Sequence, residues 1–457
     1  MENLENFIKT LDVCFHNRKF ADLRMTLLDM EPSDIAQYIE ENLDDKEKLM
    51  FFRLLPKELA SDVFIEIDSD TQEELIKNFT DKELKEVIDD MFLDDAVDVI
   101  EEMPANVVKR ILKNASAENR KQINELLAYP DDSAGSIMTT EFVSFSKNIT
   151  VAQAFEKIKK TGPNKETIYT CYVTDSKKHL LGVVTVKDLL LAEKDATIES
   201  IMDDSVITAY TLDDQEQVAK TFSKYDFISI PVIDKEGCIV GIITVDDVVD
   251  VIQDEATEDM QKMAAILPSE KDYLKHSVFD IWKQRLPWLL LLMISATFTS
   301  MILSFYETKL ALIANGVLYA FVPMLMGTAG NAGSQSSVTI TRAIAVGEVE
   351  PKDAFRIFIK ELGASFILGL TVAVACFLKV YFIDSLYNDG INAMVALIVS
   401  GVLLVTIMLA KLVGGLLPIL AKKIKLDPAV VASPFITTIV DVLCLIIYCN
   451  VATILLG

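Results

Sequence analysis

The chain has few of the residues that build common metal and redox centres. Its 457 residues include six cysteines and three histidines. The cysteines are scattered, without zinc-ligand or disulfide spacing, which favours a reducing compartment for the soluble part. The histidines (His16, His179 and His276) are isolated, and no phosphate-binding loop or nucleophile–base pair stands out. An enzyme is therefore the least favoured class.

Positive charge is also scarce, and the shortage is confined to one part of the chain. Of 68 acidic and 43 basic residues, 59 and 33 lie before Leu286, so the first 285 residues carry a net charge of −26. A negative field of this size repels nucleic acid and anionic lipid and attracts cations. We expect no nucleic-acid partner, and bound divalent cations would relieve the self-repulsion.

Two further totals point to a divided chain. Hydrophobic residues make up 51% of the sequence and charged residues 24%. A charged soluble part joined to an apolar membrane part accounts for both figures. Met1–Asn6 lacks a basic flank and an apolar core, so we expect no cleavable signal peptide.

Residues 1–130 are predicted to form an acidic helical domain. Short segments carry apolar residues at helical spacing, with Ser, Thr, Asp or Pro near each start. Successive similar segments indicate a small helical stack. Tyr129–Gly135 then breaks the helical pattern and marks a boundary.

An internal repeat occupies residues 136–252, in halves 136–199 and 200–252. Gly182 and Asp188 recur as Gly241 and Asp247 within matching strand–turn–strand–helix patterns. The repeat resembles a tandem pair of CBS domains, which are α/β modules that often bind adenosine nucleotides such as ATP. Thr185 and Asp188 match the ribose-binding motif of such domains. They equally fit a helix N-cap with no ligand.

The repeat runs into an acidic stretch that we interpret as a connecting helix over residues 253–284. Five carboxylates lie on or just after one helix: Asp247, Asp250, Glu255, Glu258 and Asp259. The segment continues to Trp282 as an amphipathic connector, interrupted at Pro268, and it links the repeat to the membrane part.

Residues 285–457 are predicted to be a transmembrane domain with five helices. Five apolar runs are long enough to span a bilayer. They are 286–305, 310–340, 364–382, 391–420 and 429–456. Basic residues concentrate in alternate connecting loops, which predicts cytoplasmic N-terminal domains and a C-terminus outside.

Two polar features lie within these runs. The first, Pro323–Thr341, is rich in glycine and amides, and it is either a helix-packing seam or one wall of an ion path. The second is Asp441, near mid-bilayer on one helix face with Thr437 and Ser433. Asp441 is either a functional carboxylate or a structural hydrogen-bonding group. Lys411 is predicted to snorkel to the cytoplasmic interface.

The domain order and two motifs resemble the MgtE family of magnesium channels. The motifs are Gly-Asn-x-Gly-x-Gln at 330–335, and Asp427-Pro428 followed by Ser433-Pro434 and Asp441. The resemblance implies a multidomain membrane protein. Its parts would be an α-helical superhelical N-domain, an α/β tandem CBS pair, a connecting helix and a five-span all-α transmembrane domain.

The resemblance also implies a homodimer in the cell (inner or plasma) membrane that takes up Mg²⁺, with Mn²⁺ or Co²⁺ as further candidate ions. The implied pore residues are Asp441, Thr437, Ser433, Asn331, Gly330, Gln335 and Asp427. Cytosolic Mg²⁺ would close the pore by binding acidic residues. The implied metal-binding residues are Asp62, Asp94, Asp98, Glu216, Asp226, Asp247, Asp250, Glu255, Glu258, Asp259, Asp427 and Asp441.

Two other functions stay open from the sequence. One is an ion-coupled secondary transporter, such as a Mg²⁺/Na⁺ exchanger, although no broken-helix inverted repeat is apparent. The other is a membrane receptor in which the CBS pair senses nucleotide and the spans only anchor the protein.

Overall fold

The computed structural model describes residues 2–269, 273–312, 314–388, 390–431 and 433–456. Two compact units, Met1–Val251 and Ile252–Gly457, make up the chain. Each unit has its own hydrophobic core.

The first unit begins with ten short helices, as the amphipathic pattern predicts. They are α1 (Glu2–His16), α2 (Phe20–Leu27), α3 (Pro32–Asn42), α4 (Asp45–Phe52), α5 (Lys57–Glu66), α6 (Ser69–Asn78), α7 (Asp81–Asp90), α8 (Leu93–Glu101), α9 (Ala105–Asn114) and α10 (Ala117–Leu126). Capping boxes at Asp44 with Glu47 and at Thr80 with Glu83 start α4 and α7. The apolar faces of these helices share one buried core.

Two three-stranded sheets follow, one in each half of the repeat. The first contains β1 (Phe142–Ser146), β2 (Thr167–Thr174) and β3 (Leu180–Thr185), and the second contains β4 (Ala209–Tyr210), β5 (Ser229–Ile233) and β6 (Ile239–Thr244). In each sheet the first strand is parallel to the second, and the second is antiparallel to the third. The halves therefore have the same topology.

The repeated glycines are needed where the two halves meet. A Cβ atom at Gly182 would lie 2.7 Å from the carbonyl oxygen of Asp203, and one at Gly241 would lie 2.7 Å from that of Thr139. Both distances are too short for any side chain. Glycine lets each edge strand approach the backbone that enters the other half.

Five helices complete the first unit and lead out of it. They are α11 (Val151–Thr161), α12 (Val186–Leu191), α13 (Ile198–Ile201), α14 (Gln215–Tyr225) and α15 (Val245–Met263). The predicted connecting segment over 253–284 is interrupted around Pro268, as the sequence indicates: α15 ends at Met263, and a separate helix starts at Val278. Ala265 has a φ of 55° and Pro268 has no N–H, so the helix cannot continue.

The described residues of the second unit form five long helices. They are α16 (Val278–Leu312), α17 (Val322–Ala345), α18 (Ala354–Leu378), α19 (Ala393–Lys423) and α20 (Ser433–Leu456). A 3₁₀ segment, Ala314–Phe321, precedes α17. Part of the predicted second span lies outside the described residues, namely residue 313 and the side chains of 308–316.

Five spans were predicted, and four stretches of the described chain are long and apolar enough to cross a membrane: 278–307, 351–386, 393–423 and 434–456. The polar helix α17, which lies in the predicted second span, is not among them, so the predicted total of five spans is not confirmed. Its glycines, amides and hydroxyls lower its hydropathy. Even so, α17 packs on both α19 and α20.

The tightest packing in the second unit joins α17 to α19 at two glycines. A Cβ atom at Gly414 would collide with the carbonyl oxygen of Gly333. A Cβ atom at Gly333 would lie 3.1 Å from the carbonyl oxygen of Ala410. The two helix backbones are therefore in direct contact, as small residues allow in membrane proteins.

We expect Gly414→Ala to destabilise the second unit, because the added methyl group forces the two helices apart. Overpacking of this kind typically costs about 1–3 kcal/mol. Gly401→Ala in the same helix is the matched control, because a Cβ atom there meets nothing within 4 Å. Thermal unfolding in detergent, followed by size-exclusion chromatography, should give a lower midpoint for Gly414→Ala alone. Equal midpoints would contradict the close contact.

Candidate functional site

Six carboxylates converge in the first unit. Three lie on α8 (Asp94, Asp95 and Asp98), two in the first turn of α15 (Asp246 and Asp247), and Glu166 immediately precedes β2. Their charges repel one another across these three elements. We call this group the acidic cluster.

The surroundings of the acidic cluster disfavour the ionised carboxylates. Asp98 is partly exposed to solvent. Loss of hydration from the surrounding protein, followed by repulsion from Asp94 and Asp247, nevertheless raises the pKa of Asp98 to about 7. Burial and then the neighbouring carboxylates raise the pKa of Asp95 and of Glu166 to about 8. Burial, with repulsion from Asp94, raises the pKa of Asp247 to about 7. Near neutral pH the cluster therefore holds less charge than its composition suggests.

Asp94 is the most deeply placed member of the acidic cluster. Its side chain is 7% exposed, and its Oδ1 atom is buried with no hydrogen-bond partner among the described residues. An unpaired buried carboxylate oxygen is costly unless a cation or proton satisfies it. Within the described ranges, no three His, Cys, Asp or Glu side chains converge closely enough to hold one metal ion.

Four other predicted metal-binding residues of the first unit are placed differently. Asp62 accepts a hydrogen bond from Ser61, and Glu216 pairs with Lys220 at 2.6 Å. Asp226 ends α14 with a left-handed φ of 54°. Asp250 lies in the second turn of α15, where burial and repulsion from Asp246 raise its pKa. Among the interactions of the described residues, Asp250 is the one of these four that is coupled to a member of the acidic cluster.

In the second unit, one lysine forms ion pairs with two predicted metal-binding residues. Lys262 Nζ lies 2.7 Å from Glu258 Oε1 and 2.8 Å from Asp427 Oδ2. Asp427 also accepts a hydrogen bond from the Ala429 N–H. The ammonium group thus stands between two carboxylates where a cation was predicted. Glu255 and Asp259 lie on the same helix as Glu258.

The predicted pore residues of α17 and α20 lie side by side. A Cβ atom at Gly330 would lie 3.2 Å from Thr437 Cγ2 and 3.9 Å from Asp441 Oδ1. Thr437 Oγ1 donates a hydrogen bond to the Pro434 carbonyl, one turn earlier. Gly330 thus leaves room for the carboxylate against the backbone of α17.

The other predicted pore residues differ in how much the structure says of them. Asn331 and Gln335 are exposed on one face of α17, four residues apart. Ser433 is the first residue of α20, but its side chain lies outside the described part.

Comparison with known proteins finds matches for the helical domain, for the repeat and for most of the second unit. Three family models match: the MgtE divalent cation transporter model over residues 322–451, the MgtE intracellular N domain over 30–132, and the CBS domain over 134–195 and 198–254. The magnesium transporter MgtE of Thermus thermophilus is 35% identical over 438 residues, 95% of each chain. The chain belongs to the MgtE family. The MgtE of Bacillus subtilis is 31% identical over 98% of this chain and 97% of that protein.

Two solved structures of soluble transporter and channel regions match as well. The soluble part of a magnesium transporter is 34% identical, with a TM-score of 0.53, and covers 55% of this chain and 99% of that one. The cytosolic domain of the Mg²⁺ channel MgtE in complex with ATP is 32% identical, with a TM-score of 0.51, and covers 53% and 99%. Membership of the MgtE family points to a transporter rather than an enzyme. The four candidate membrane helices are consistent with a multi-pass membrane protein.

The predicted nucleotide motif of the CBS pair is engaged in capping. Thr185 Oγ1 accepts from the Asp188 N–H, and the Asp188 carboxylate accepts from the Thr185 N–H at 3.0 Å. Thr244 and Asp247 repeat part of this pattern at the start of α15, with a hydroxyl-to-carboxylate bond of 2.7 Å. The capping interpretation therefore accounts for both Thr-x-x-Asp segments without a ligand.

One polar site in the second unit was not predicted from the sequence. Ser336 Oγ on α17 donates a 2.6 Å hydrogen bond to Glu361 Oε2 on α18, and Lys411 Nζ on α19 lies 3.6 Å from the same oxygen. The predicted snorkelling of Lys411 is wrong, because its side chain is only 13% exposed and is paired inside the helix bundle. The predicted third span began at Ala364 and excluded Glu361.

Proposed function

We propose that the chain is a Mg²⁺-selective channel that mediates magnesium uptake and is closed by cytosolic Mg²⁺. The observation that carries the proposal is the placement of Asp441 beside Gly330, where a membrane-depth carboxylate faces the polar helix α17. An ionisable residue at this depth is costly and marks an ion path.

The pore chemistry suits a hydrated divalent ion. Mg²⁺ releases its waters reluctantly and is usually held through them by one or two carboxylates. Two copies of Asp441 across a homodimer axis would attract the ion, and Thr437 with the amides of Asn331 and Gln335 would contact its water shell. Binding through water is weak enough for release, which conduction requires.

The acidic cluster provides the closing signal in this proposal. Its carboxylates share a crowded space, and Asp94 Oδ1 has no partner among the described residues. Hydrated Mg²⁺ would satisfy that oxygen and cancel the repulsion between α8 and α15. Because α15 runs on from the first unit into the second, a cation that fixes its first turn can affect the pore. ATP binding at the CBS pair would add to this control, in line with the MgtE relative solved with ATP.

The membrane arrangement is part of the same proposal. The N-terminal domains would lie in the cytoplasm and the C-terminus outside, in a lipid bilayer, with two chains forming one pore. Mn²⁺ and Co²⁺, which resemble Mg²⁺ in charge, are the further ions to examine.

Currents from the purified full chain in a planar bilayer test the channel directly. We expect unitary Mg²⁺ currents that disappear when millimolar Mg²⁺ is added on the side of the soluble domains. Saturating Mg²⁺ flux without unitary openings would instead support the coupled carrier. A complete lack of Mg²⁺ transport would leave only the receptor.

A further inference from the structure

A largely buried charged pair joins α18 and α19 of the second unit, on different helices from the Asp441 carboxylate. Glu361 on α18 is 16% exposed, and Lys411 on α19 is 13% exposed. Opposite charges inside a membrane protein are expensive and are retained where they pair with each other or serve transport. Here the third partner is Ser336 on α17, which is 2% exposed.

Glu361 reaches Ser336 through a gap left by a glycine. A Cβ atom at Gly415 would lie 3.2 Å from Glu361 Cγ, so the glutamate side chain runs over the bare backbone of α19. One oxygen, Oε2, then accepts the Ser336 hydroxyl and lies against the Lys411 ammonium. A single carboxylate thus joins three helices.

The attachment is on the buried side of α17. Asn331 and Gln335 lie on its exposed face, whereas Ser336 is buried. At 100° per residue, Ser336 is about 140° around the helix from Asn331. Fixing Ser336 therefore fixes the rotation of α17, and with it the direction of the two amides.

We propose that Glu361 and Lys411 form a charge-neutral pair that positions α17 through Ser336 and so sets the orientation of Asn331 and Gln335 toward the ion. Glu361 is then a positioning residue. Lys411 neutralises it, so that no uncompensated charge stands behind the pore wall. This inference rests on the proposed role of α17 as part of an ion path.

Charge balance is tested by Mg²⁺ uptake into liposomes that contain the full chain. Lys411→Met leaves a buried unpaired carboxylate, so we expect uptake to fall at least about tenfold. The double variant Glu361→Gln/Lys411→Met removes both charges and keeps a group that can bond Ser336. We expect its uptake to return to within about threefold of wild type, since a neutral pair replaces an ionic one. Lys423→Met, an exposed lysine at the end of the same helix, should have no effect.

Positioning is tested by ion preference. Ser336→Ala keeps both charges but removes the hydrogen bond that sets the rotation of α17. We therefore expect the ratio of Mg²⁺ to Ca²⁺ uptake to fall at least about threefold while the protein still elutes as one peak. A merely structural role would lower the yield of folded protein and leave this ratio unchanged. Ser336→Ala also decides the matter if Lys411→Met fails to fold.

Three outcomes would overturn the inference: wild-type uptake by Lys411→Met, a well-folded double variant with no recovery, or an unchanged ion ratio in Ser336→Ala. Asp441→Asn separates these failures from a failure of the proposed pore. If Asp441→Asn stops uptake while the pair variants behave as wild type, only the positioning role is wrong.

Discussion

Replacing Asp441 with asparagine is expected to lower the initial rate of Mg²⁺ uptake by about 10- to 100-fold. Asparagine keeps the shape of the side chain beside Gly330 and removes only its charge. A hydrogen bond to a charged group is worth about 1.5–3 kcal/mol, which corresponds to roughly one to two factors of ten. The loss follows because a neutral amide cannot attract a divalent ion out of bulk water.

The measurement is uptake by liposomes loaded with a Mg²⁺-sensitive dye, with wild type and variants at equal protein density. Glu348→Gln is the matched control, since Glu348 is an exposed acid in the loop after α17. Asp441→Glu keeps the charge and should retain more uptake than Asp441→Asn. If Asp441→Asn transports as wild type does, Asp441 is a structural hydrogen-bonding group and the ion path lies elsewhere.

The repeat could be interpreted from the sequence because its signals are local. Gly182 and Gly241 recur because each strand passes too close to a carbonyl oxygen for a side chain. Thr185 and Thr244 recur because each starts a helix with an aspartate three residues on. Such local requirements place the same residue types at the same position in each half, so the strand–turn–strand–helix pattern and the helix starts were predictable.

No local sequence pattern predicted the Glu361–Lys411 pair in the second unit. A search for apolar runs stops at a charge, so the predicted third span began at Ala364, whereas α18 starts ten residues earlier at Ala354. Lys411 was assigned to the interface by counting along its own helix. Its actual partner is on another helix, and only the packing of three helices around Gly415 brings them together.

The acidic cluster was predictable only in part. Asp94, Asp98 and Asp247 were predicted because the family resemblance pointed to them. Glu166 was not, since it precedes β2 after a short 3₁₀ turn and follows no periodic pattern. It joins the cluster only through the tertiary fold, which places the residue before β2 near Asp94 and Asp95 of α8. Charge counting predicted that the soluble part attracts divalent cations, but it could not identify which carboxylates meet.

Removing two charges from the acidic cluster is expected to imitate bound Mg²⁺. In Asp94→Asn/Asp247→Asn, amides replace the least exposed carboxylate and one that repels it from α15. The amide oxygen introduced at position 247 would still accept the Thr244 hydroxyl, so the start of α15 is preserved. Because the repulsion that Mg²⁺ would cancel is already gone, the soluble domains should stay closed without the ion.

Limited proteolysis of the full chain in detergent across a Mg²⁺ titration measures this effect. Wild type should become resistant as Mg²⁺ rises, and the double variant should resist cleavage at least about tenfold longer than wild type in chelator, which corresponds to about 1.4 kcal/mol less opening. The control is Glu118→Gln/Glu236→Gln, which removes two exposed charges, one from the helical domain and one from a CBS turn. Its titration should match wild type.

If instead both double variants become resistant, general self-repulsion of the −26 charge governs opening. If neither does, the acidic cluster is not the sensor, and Mg²⁺ must act through carboxylates outside it.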